Sequence, residues 1–241
     1  MRALVLFLSM TVAAFCAPVV EERVEHAGAI FRVVHAEPAQ IRLVWKDEAG
    51  QPYRTFDRVQ AAFSKRGLKV RLMMNAGIFA TGGIPCGLHV ENGKTLHELN
   101  LANAPGNFFL KPNGVSRIDT NKKETKASIT TSETWPKSPF TVTAVQSGPM
   151  LLIDGKRHPA FKEGSSNKLH RNGVGVDDKG RVVLAITESG QMANLWDFAG
   201  LFLKLHCRDA LFLDGDISQM AVNPTKPVES NHFGAMIVIA D

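Results

Sequence analysis

Two carboxylates flank a glycine in the segment Asp214-Gly215-Asp216, directly after the apolar run 211–213. Paired carboxylates at the end of a buried strand suit general acid and base catalysis, or oxygen ligation of a hard cation. An ordinary Asp-Gly turn has the same sequence, so this alternative stays open. Asp214 and Asp216 are therefore candidate catalytic residues, and Ser218 extends the polar edge of the same segment.

Two further apolar runs end in small and polar residues. The run 72–74 leads into Asn75-Ala76-Gly77, and the run 142–145 leads into Gln146-Ser147-Gly148. Glycine lets backbone approach a ligand closely, and the neighbouring amides and hydroxyls supply directional hydrogen bonds. Three such ends, far apart in the chain, predict one site assembled from several strand ends. The expected substrate contacts are Asn75, Gly77, Gln146, Ser147 and Gly148.

The segment around Ser147 also limits the type of chemistry. Gln146-Ser147-Gly148-Pro149 lacks the Gly-x-Ser-x-Gly spacing of a nucleophile elbow. We therefore interpret Ser147 as a hydrogen-bonding group, with a plain bend as the alternative, and not as a hydrolase nucleophile.

A third carboxylate, Glu188, follows the apolar run 182–186 and precedes Ser189-Gly190. A carboxylate at the mouth of a buried strand is a candidate acid or base. The alternative is a solvated loop residue. Glu188 is therefore the third candidate catalytic residue.

Cationic and amide side chains complete the candidate site. Arg171 and Asn172 enter the predicted strand 174–176, and arginine suits bidentate contact with phosphate or carboxylate. An isolated exposed arginine is more often only solvated. Asn107 and Lys111 flank the apolar residues 108–110 and are expected at the same rim. No Cys-x-x-Cys or His-x-x-x-His pair occurs, so we predict no structural zinc site and no cofactor.

The elements that must position these residues are mostly strands joined by tight turns. Asn-Gly and Asp-Gly pairs favour the turns of β-hairpins. They occur at 92–93, 113–114 and 154–155, with a fourth turn at 178–180. Further strands are expected at 29–35, 40–45, 69–74, 140–146, 210–214 and 235–240.

Two segments have helical spacing instead, 55–65 and 194–206, and Asn194 is a plausible N-cap of the second. The polar stretch 119–139 is interpreted as a long excursion or flexible loop. The expected fold class is α+β, mixed, with a largely antiparallel β-sheet core and a few packed helices.

The first 17 of the 241 residues have the pattern of a signal peptide. Met1-Arg2 is a positive start, and 3–15 is an apolar stretch too short to span a bilayer. A buried N-terminal helix is the alternative, and Phe15 before Cys16 argues against a lipoprotein anchor. We expect a signal peptide over 1–17, one domain over 18–241, and a secreted or periplasmic protein without stable membrane insertion after signal removal.

The charge distribution indicates which classes of ligand the protein can bind, and the cysteine content raises the question of a disulfide. The net charge of +5 is scattered, without a basic stripe interleaved with aromatic residues, so nucleic-acid binding is not expected. A mild positive field suits an anionic substrate. Cys86 and Cys207 either pair in an oxidising compartment or remain separate thiols, and their spacing does not decide between these alternatives.

Four segments resemble motifs of the phosphodiester glycosidase family, in the same order. They are 74–79 (MNAGIF), 146–151 (QSGPML), 171–175 (RNGVG) and 213–218 (LDGDIS). That family includes N-acetylglucosamine-1-phosphodiester alpha-N-acetylglucosaminidase, the lysosomal uncovering enzyme. The similarity is closer to a bacterial branch long catalogued as a domain of unknown function, through 87–93, 106–114 and 197–199. It covers about 29–240.

The resemblance implies an exported glycosidase acting on a sugar-phosphodiester or a related cell-envelope glycan, so the expected partner is a carbohydrate or sugar-phosphate substrate. Residue types and strand-end positions then suggest Asp214 and Glu188 as the carboxylate pair, with Asp216 as a third carboxylate. Arg171 would hold the phosphate. The residues expected to orient sugar hydroxyls are Asn75, Gln146, Ser147 and Asn107.

Two alternatives stay open, because 214–218 reads Asp-Gly-Asp-Ile-Ser where better-known members have Asp-Gly-Gly-Gly-Ser. One is a non-catalytic envelope protein that binds a glycan or phosphoglycan. The other is a metal-dependent phosphodiesterase that uses Asp214 and Asp216.

Overall fold

A computed structural model describes residues 18–241, so the predicted signal peptide at 1–17 lies outside the described residues. It contains two ten-residue helices, α1 (Phe56–Lys65) and α2 (Leu195–Lys204), and eighteen strands. The first nine strands are β1 (Glu21–His26), β2 (Ala29–Ala36), β3 (Arg42–Val44), β4 (Val70–Ala76), β5 (Phe79–Ala80), β6 (Ile84–Pro85), β7 (His89–Glu91), β8 (Lys94–His97) and β9 (Gly114–Thr120). The other nine are β10 (Thr125–Thr131), β11 (Thr141–Ser147), β12 (Met150–Ile153), β13 (Lys156–Arg157), β14 (Asn172–Asp177), β15 (Val182–Thr187), β16 (Cys207–Asp214), β17 (Met220–Val222) and β18 (Ala235–Ala240).

These strands form three large sheets and one small hairpin. The seven-stranded sheet has the order β1-β2-β15-β14-β16-β12-β13, the five-stranded sheet β10-β9-β11-β7-β8, and the four-stranded sheet β17-β4-β18-β3. β5 and β6 pair alone as a two-stranded hairpin. Every strand pairing within residues 18–241 is antiparallel, which confirms the predicted α+β class with a largely antiparallel core.

The layers explain why the central strands are apolar on both faces. The main hydrophobic cluster lies between the seven-stranded sheet and the other two large sheets, and a second cluster lies between the seven-stranded sheet and α2. In β16, Leu211 and Leu213 enter the first cluster, while Ala210 and Phe212 enter the second. A strand covered on both faces has a continuous apolar sequence. Asp214, the first polar residue after the apolar run 210–213, therefore marks the point where this cover ends.

Both predicted helices are confirmed, and so are three of the four predicted turns. The Asn194 side chain caps α2 by accepting from the backbone N–H of Asp197 at 2.8 Å. The turns at 92–93, 154–155 and 178–180 join neighbouring antiparallel strands. Asn92 and Gly93 both have positive φ (48° and 77°), as the tight hairpin turn requires. Neither helix in residues 18–241 is long and apolar enough to cross a bilayer.

The predicted turn at 113–114 is wrong. Asn113 is fully buried and donates from Nδ2 to the carbonyl of Phe108 at 2.7 Å, and Gly114 begins β9. A Cβ on Gly114 would lie 2.1 Å from the sulfur of Met150. This Asn-Gly pair therefore serves close packing and not a hairpin loop.

The predicted loop at 119–139 is also wrong in its first half. Residues 114–131 form the β9–β10 hairpin, and a 3-10 turn follows at Ser132–Thr134. β10 contributes one buried residue to the main core, Ile129, with Ala127 packed at its edge. Since only one face of β10 is covered, its polar residues outnumber the apolar ones, and the strand pattern is weak.

Candidate functional site

The three polar strand ends meet in the structure. Asn75 at the end of β4 donates from Nδ2 to Asp214 Oδ2 at 3.4 Å, which joins β4 to β16. Ser147 at the end of β11 donates from Oγ to the carbonyl of Leu213 at 3.0 Å. The same Oγ accepts from the backbone N–H of Ile78 at 3.3 Å. Three distant parts of the sequence thus meet at the end of β16, where Asn75 contacts the Asp214 carboxylate and Ser147 contacts the residue before it.

Gly77 allows the ends of β4 and β11 to approach each other. Its φ is +77°, a conformation that L-residues rarely adopt. A Cβ there would lie 2.9 Å from the side chain of Val145 and 3.9 Å from the Cβ of Ser147. The predicted contribution of Gly77 is therefore made through backbone packing at the site.

Asn75 is the centre of the hydrogen-bond network. Its Oδ1 accepts from Asn172 Nδ2 at 3.1 Å and from the backbone N–H of Gln219 at 2.9 Å. Its backbone carbonyl accepts from the same Asn172 amide at 2.9 Å. Asn75 and Asn172 are 1% and 0% exposed. Because buried amides are costly unless paired, this network fixes the amide that faces Asp214.

Asp214 has the electrostatics of an acid or base that titrates near neutral pH. Its pKa is raised from 3.8 to about 6, chiefly by burial and with a smaller contribution from the charge of Asp216. Hydrogen bonds from the backbone N–H of Gly215, at 2.8 Å, and from Asn75 lower the pKa and only partly offset the burial. A general acid or base works best when its pKa lies near the working pH.

The raised pKa predicts that the Asp214→Asn variant is more stable than the wild type at high pH. The folded-state pKa lies above the unfolded value, so the proton favours folding, and this contribution is lost as the pH rises through about 6. Discounted for partial exposure, the gain at pH 8 is on the order of 1–2 kcal/mol, with little difference at pH 4. Urea unfolding at both pH values measures it. An equal effect at both pH values, or a gain of the same size for the exposed control Asp178→Asn, would contradict the assignment.

A cleft of about 550 Å³ opens beside the end of β16, and Asp216, Ser218, His170 and Thr187 line part of its wall. His170 Nε2 lies 3.0 Å from the carbonyl of Ser218, and Nδ1 lies 2.5 Å from Thr187 Oγ1. A carbonyl can only accept, so Nε2 carries a proton, and in the neutral ring Nδ1 accepts from Thr187. Thr187 in turn accepts from the backbone N–H of Arg171 at 3.0 Å.

Two buried oxygens at the site have no hydrogen-bond partner within residues 18–241. They are Oγ of Ser218, which lines the cleft, and Oδ1 of Asn172. Buried polar atoms are usually satisfied by protein, water or ligand. Ser218 Oγ, at the cleft wall, is therefore a position where a substrate hydroxyl or a water molecule would complete the hydrogen bonding.

Arg171 lies beneath the site. It is 1% exposed, its Nε donates to the carbonyl of Ala193 at 3.1 Å, and a terminal nitrogen donates to the carbonyl of Asn167 at 3.3 Å. Burial lowers its pKa to about 10, and the charge of Asp216 partly opposes that shift. Arg171 therefore stays protonated at neutral pH and holds two loops together. Arg171 is not among the residues that line the cleft.

The sequence analysis predicts that Gln146 orients sugar hydroxyls, but both polar groups of its side chain are hydrogen-bonded within the protein. Its Oε1 accepts from the backbone N–H groups of Leu88 and Asn100, at 3.0 and 2.9 Å. Its Nε2 donates to the carbonyl of Asn100 at 2.7 Å and to Ser132 Oγ at 3.0 Å. With 1% exposure, Gln146 ties together segments on either side of β11.

Four other predicted site residues make no side-chain hydrogen bond to Asp214, Asn75 or Asn172 within residues 18–241. Glu188 is ion-paired with Arg23 of β1, Lys111 donates to the carbonyl of Leu101 at 2.8 Å, and Asn107 is exposed. The fourth is Gly148, where a Cβ would lie 2.6 Å from the Cβ of Asn113 and 2.8 Å from the carbonyl oxygen of Phe108. Their functional roles stay predictions.

The structure also brings in residues that the sequence patterns do not single out. His170 and Thr187 line the cleft, and Gln219, which extends the polar edge predicted at Ser218, joins the network through its backbone N–H. Each directly precedes or follows a predicted site residue, Arg171, Glu188 or Ser218. These residues could therefore have been predicted only from their position at the end of a strand, because their residue types alone form no motif.

The two cysteines of residues 18–241 are free thiols. Cys207 is buried under α2, and burial raises its pKa to about 12. Cys86 is partly exposed; burial raises its pKa, and so does the charge of Asp214, which places it near that carboxylate. A Cys86–Cys207 disulfide is therefore absent from this fold. No group of three or more His, Cys, Asp or Glu in 18–241 is arranged to hold a metal ion.

Comparison with known proteins gives consistent matches. The model of the phosphodiester glycosidase family matches residues 69–238. Protein YigE of Escherichia coli (strain K12), described as uncharacterized, is 33% identical over 188 residues, which cover 78% of this chain and 71% of that protein.

Two solved structures share the fold. One is the zebrafish N-acetylglucosamine-1-phosphodiester alpha-N-acetylglucosaminidase catalytic domain auto-inhibited by pro-peptide, with a TM-score of 0.62 and 14% identity, covering 92% of this chain and 81% of that chain. The other is a hypothetical protein from Synechocystis, with a TM-score of 0.55 and 13% identity, covering 94% and 64% of the two chains. At such identities the likeness concerns the fold alone.

Proposed function

Because this chain belongs to the phosphodiester glycosidase family, we propose that it is an exported hydrolase that releases a sugar from a phosphodiester, or from a related cell-envelope glycan. Export rests on the N-terminal sequence pattern. One observation carries the catalytic part, namely a partly buried Asp214 with a pKa of about 6 where several strand ends meet. The adjoining cleft has the size of small-molecule sites, about 300–1,000 Å³.

In the proposed reaction, a water oxygen forms a bond to the anomeric carbon and the bond from that carbon to the phosphate oxygen breaks. The products are the free sugar and a phosphate monoester. Phosphate is a good leaving group, so little protonation of the departing oxygen is needed. The ionised Asp214 takes the proton from the attacking water, while Asn75 and the backbone N–H of Gly215 hold the carboxylate in place.

The proposed reaction uses a single carboxylate, Asp214, beside the anomeric carbon. Glu188, the other member of the predicted pair, is ion-paired with Arg23. Asp216 is exposed, and its charge contributes to the raised pKa of Asp214 and, against the effect of burial, raises the pKa of Arg171. Asp214 is therefore the base in the proposed reaction.

The test is the release of sugar from a panel of sugar-1-phosphodiesters, beside aryl glycosides and bis(p-nitrophenyl) phosphate, with and without chelator. We expect free sugar from at least one sugar-1-phosphodiester, unaffected by chelator. Hydrolysis in ¹⁸O-labelled water then identifies the bond that breaks. A phosphate product without label supports the proposal, because cleavage of the phosphorus–oxygen bond by water would place the label there.

The other outcomes separate the alternatives. Label in the phosphate product, with activity lost in chelator and restored by a divalent ion, would identify a metal-dependent phosphodiesterase. Binding of a sugar phosphate by the folded protein without any turnover would identify a non-catalytic glycan-binding protein. Either result would overturn the proposed hydrolase.

A further inference from the structure

Arg54, just before α1, has a constrained backbone. Its φ is +67°, in the left-handed region that non-glycine residues rarely adopt. The conformation is held from both sides, because the carbonyl of Arg54 accepts from the N–H of Phe233 at 2.7 Å and Thr55 N–H bonds to the carbonyl of Tyr53 at 2.8 Å. Such conformations persist only where surrounding structure enforces them, and they cluster at functional sites.

The side chain of Arg54 lies against the β5–β6 hairpin. Its guanidinium carbon is 5.7 Å from the ring centroid of Phe79. A Cβ on Gly83 would lie 2.1 Å from one terminal nitrogen, so the guanidinium lies directly against the backbone of this glycine. The same hairpin is fixed to the core by the indole N–H of Trp45, which donates to the carbonyl of Gly83 at 2.7 Å.

The guanidinium of Arg54 lacks an acceptor. One terminal nitrogen is buried without a hydrogen-bond partner, and no ion pair or side-chain hydrogen bond joins Arg54 to another part of residues 18–241. Leaving the N–H groups of a charged side chain without an acceptor is unfavourable. Arg54 as a whole is only half-buried, so an anion that reaches its guanidinium meets a charged group without another acceptor.

The hairpin that contacts Arg54 also borders Asp214. Its base is closed by the hydrogen bond from the N–H of Cys86 to the carbonyl of Ile78, at 3.1 Å. Ile78 N–H bonds to Ser147 Oγ, the hydroxyl that contacts the residue before Asp214. Cys86 lies close enough for the Asp214 charge to affect its pKa. Arg54 is therefore separated from the carboxylate by one hairpin.

The other cations around the predicted site already have acceptors. These are Arg171 with the carbonyls of Ala193 and Asn167, Arg32 with Glu21, Arg23 with Glu188, and Lys111 with the carbonyl of Leu101. A phosphodiester is an anion, and its recognition favours a guanidinium, which binds phosphate through two parallel hydrogen bonds.

We propose that Arg54 binds the phosphate group of the substrate, in place of the buried Arg171. This inference rests on the proposed function for the identity of the substrate. The anion site itself is independent of turnover and can be tested without it. The relevant probes are inorganic phosphate and a sugar-1-phosphate, which share the chemistry of the group to be recognised.

The first test measures phosphate binding by calorimetry and by the side-chain ¹⁵N resonances of wild-type protein. We expect phosphate to shift the Arg54 Nε resonance, and Arg54→Gln to weaken phosphate binding about 10- to 100-fold, the loss of one charged hydrogen-bonding group. Arg54→Lys should lose less. The control Arg58→Gln removes an exposed arginine of α1 and should leave binding unchanged.

The second test compares substrates. With a sugar-1-phosphodiester, Arg54→Gln should raise KM at least 10-fold, whereas an uncharged aryl glycoside of the same sugar should change less than 2-fold. Equal effects on both substrates, or a wild-type Arg54 resonance that does not respond to phosphate, would overturn the proposal. If no substrate is turned over but phosphate binding depends on Arg54, the anion site stands and the proposed hydrolase fails.

Discussion

Replacing Asp214 with asparagine is expected to lower kcat by about 100- to 10,000-fold, the usual contribution of a general base. Asparagine keeps the size of the side chain and an oxygen that accepts from the N–H of Gly215, but it cannot take a proton. Sugar release from the best phosphodiester substrate measures the effect. Circular dichroism and thermal unfolding of the variant show whether the loss occurs in a folded protein.

The pH profile makes this prediction more specific. For wild type, kcat/KM should rise with pH through about 6, since the base is active when ionised and burial raises its pKa to that value. The matched variant Asp216→Asn removes a charge that contributes to the raised pKa, so the rising limb should move to lower pH with a much smaller loss of rate. An unmoved limb, or near-normal activity in Asp214→Asn, would contradict the assignment.

Replacing Gln146 with leucine is expected to destabilise the protein by about 3–5 kcal/mol, which lowers Tm by roughly 10 °C or more. Leucine has a similar size but neither donates nor accepts. The N–H groups of Leu88 and Asn100 lose their common acceptor, and the carbonyl of Asn100 and the hydroxyl of Ser132 lose a donor. Buried groups left unpaired account for the size of the effect.

The matched control is Asn107→Ala, which changes another residue predicted to orient sugar hydroxyls. Its side chain is exposed, so the free energy of unfolding should change by no more than about 0.5 kcal/mol. Urea unfolding of both variants makes the comparison. A Gln146→Leu protein with wild-type stability and a raised KM would show that Gln146 contacts substrate and is not a structural connector.

The sequence predicted that these strand ends meet better than it predicted which of their polar side chains are free to contact a ligand. Asn75, Ser147 and Asp214 come together because each follows a strand covered on both faces, and such a strand has a readable apolar pattern. Gln146 and Arg171 follow or precede similar strands, yet their polar groups face inward. Burial of one polar residue depends on partners distant in the chain, and a strand pattern does not contain them.

The other differences between the sequence predictions and the structure also arise from contacts between residues that are distant in the chain. Glu188 pairs with Arg23, 165 positions earlier, and nothing near Glu188 indicates that contact. Asn113-Gly114 has the sequence of a hairpin turn, but Phe108 and Met150 surround it in the fold. Arg54 lies outside every motif, because its neighbours Phe79 and Gly83 reach it through a separate hairpin.

One of the two free cysteines offers a position for chemical labelling near the candidate site. Since neither Cys86 nor Cys207 is paired, formation of this fold requires no oxidation, and residues 18–241 are suited to production in a reducing cytosol. Cys207 is buried and protected from alkylation, whereas Cys86 is partly exposed beside Asp214. A small fluorophore coupled to Cys86 would therefore report when a ligand enters, and candidate ligands can be screened by fluorescence before any substrate is known.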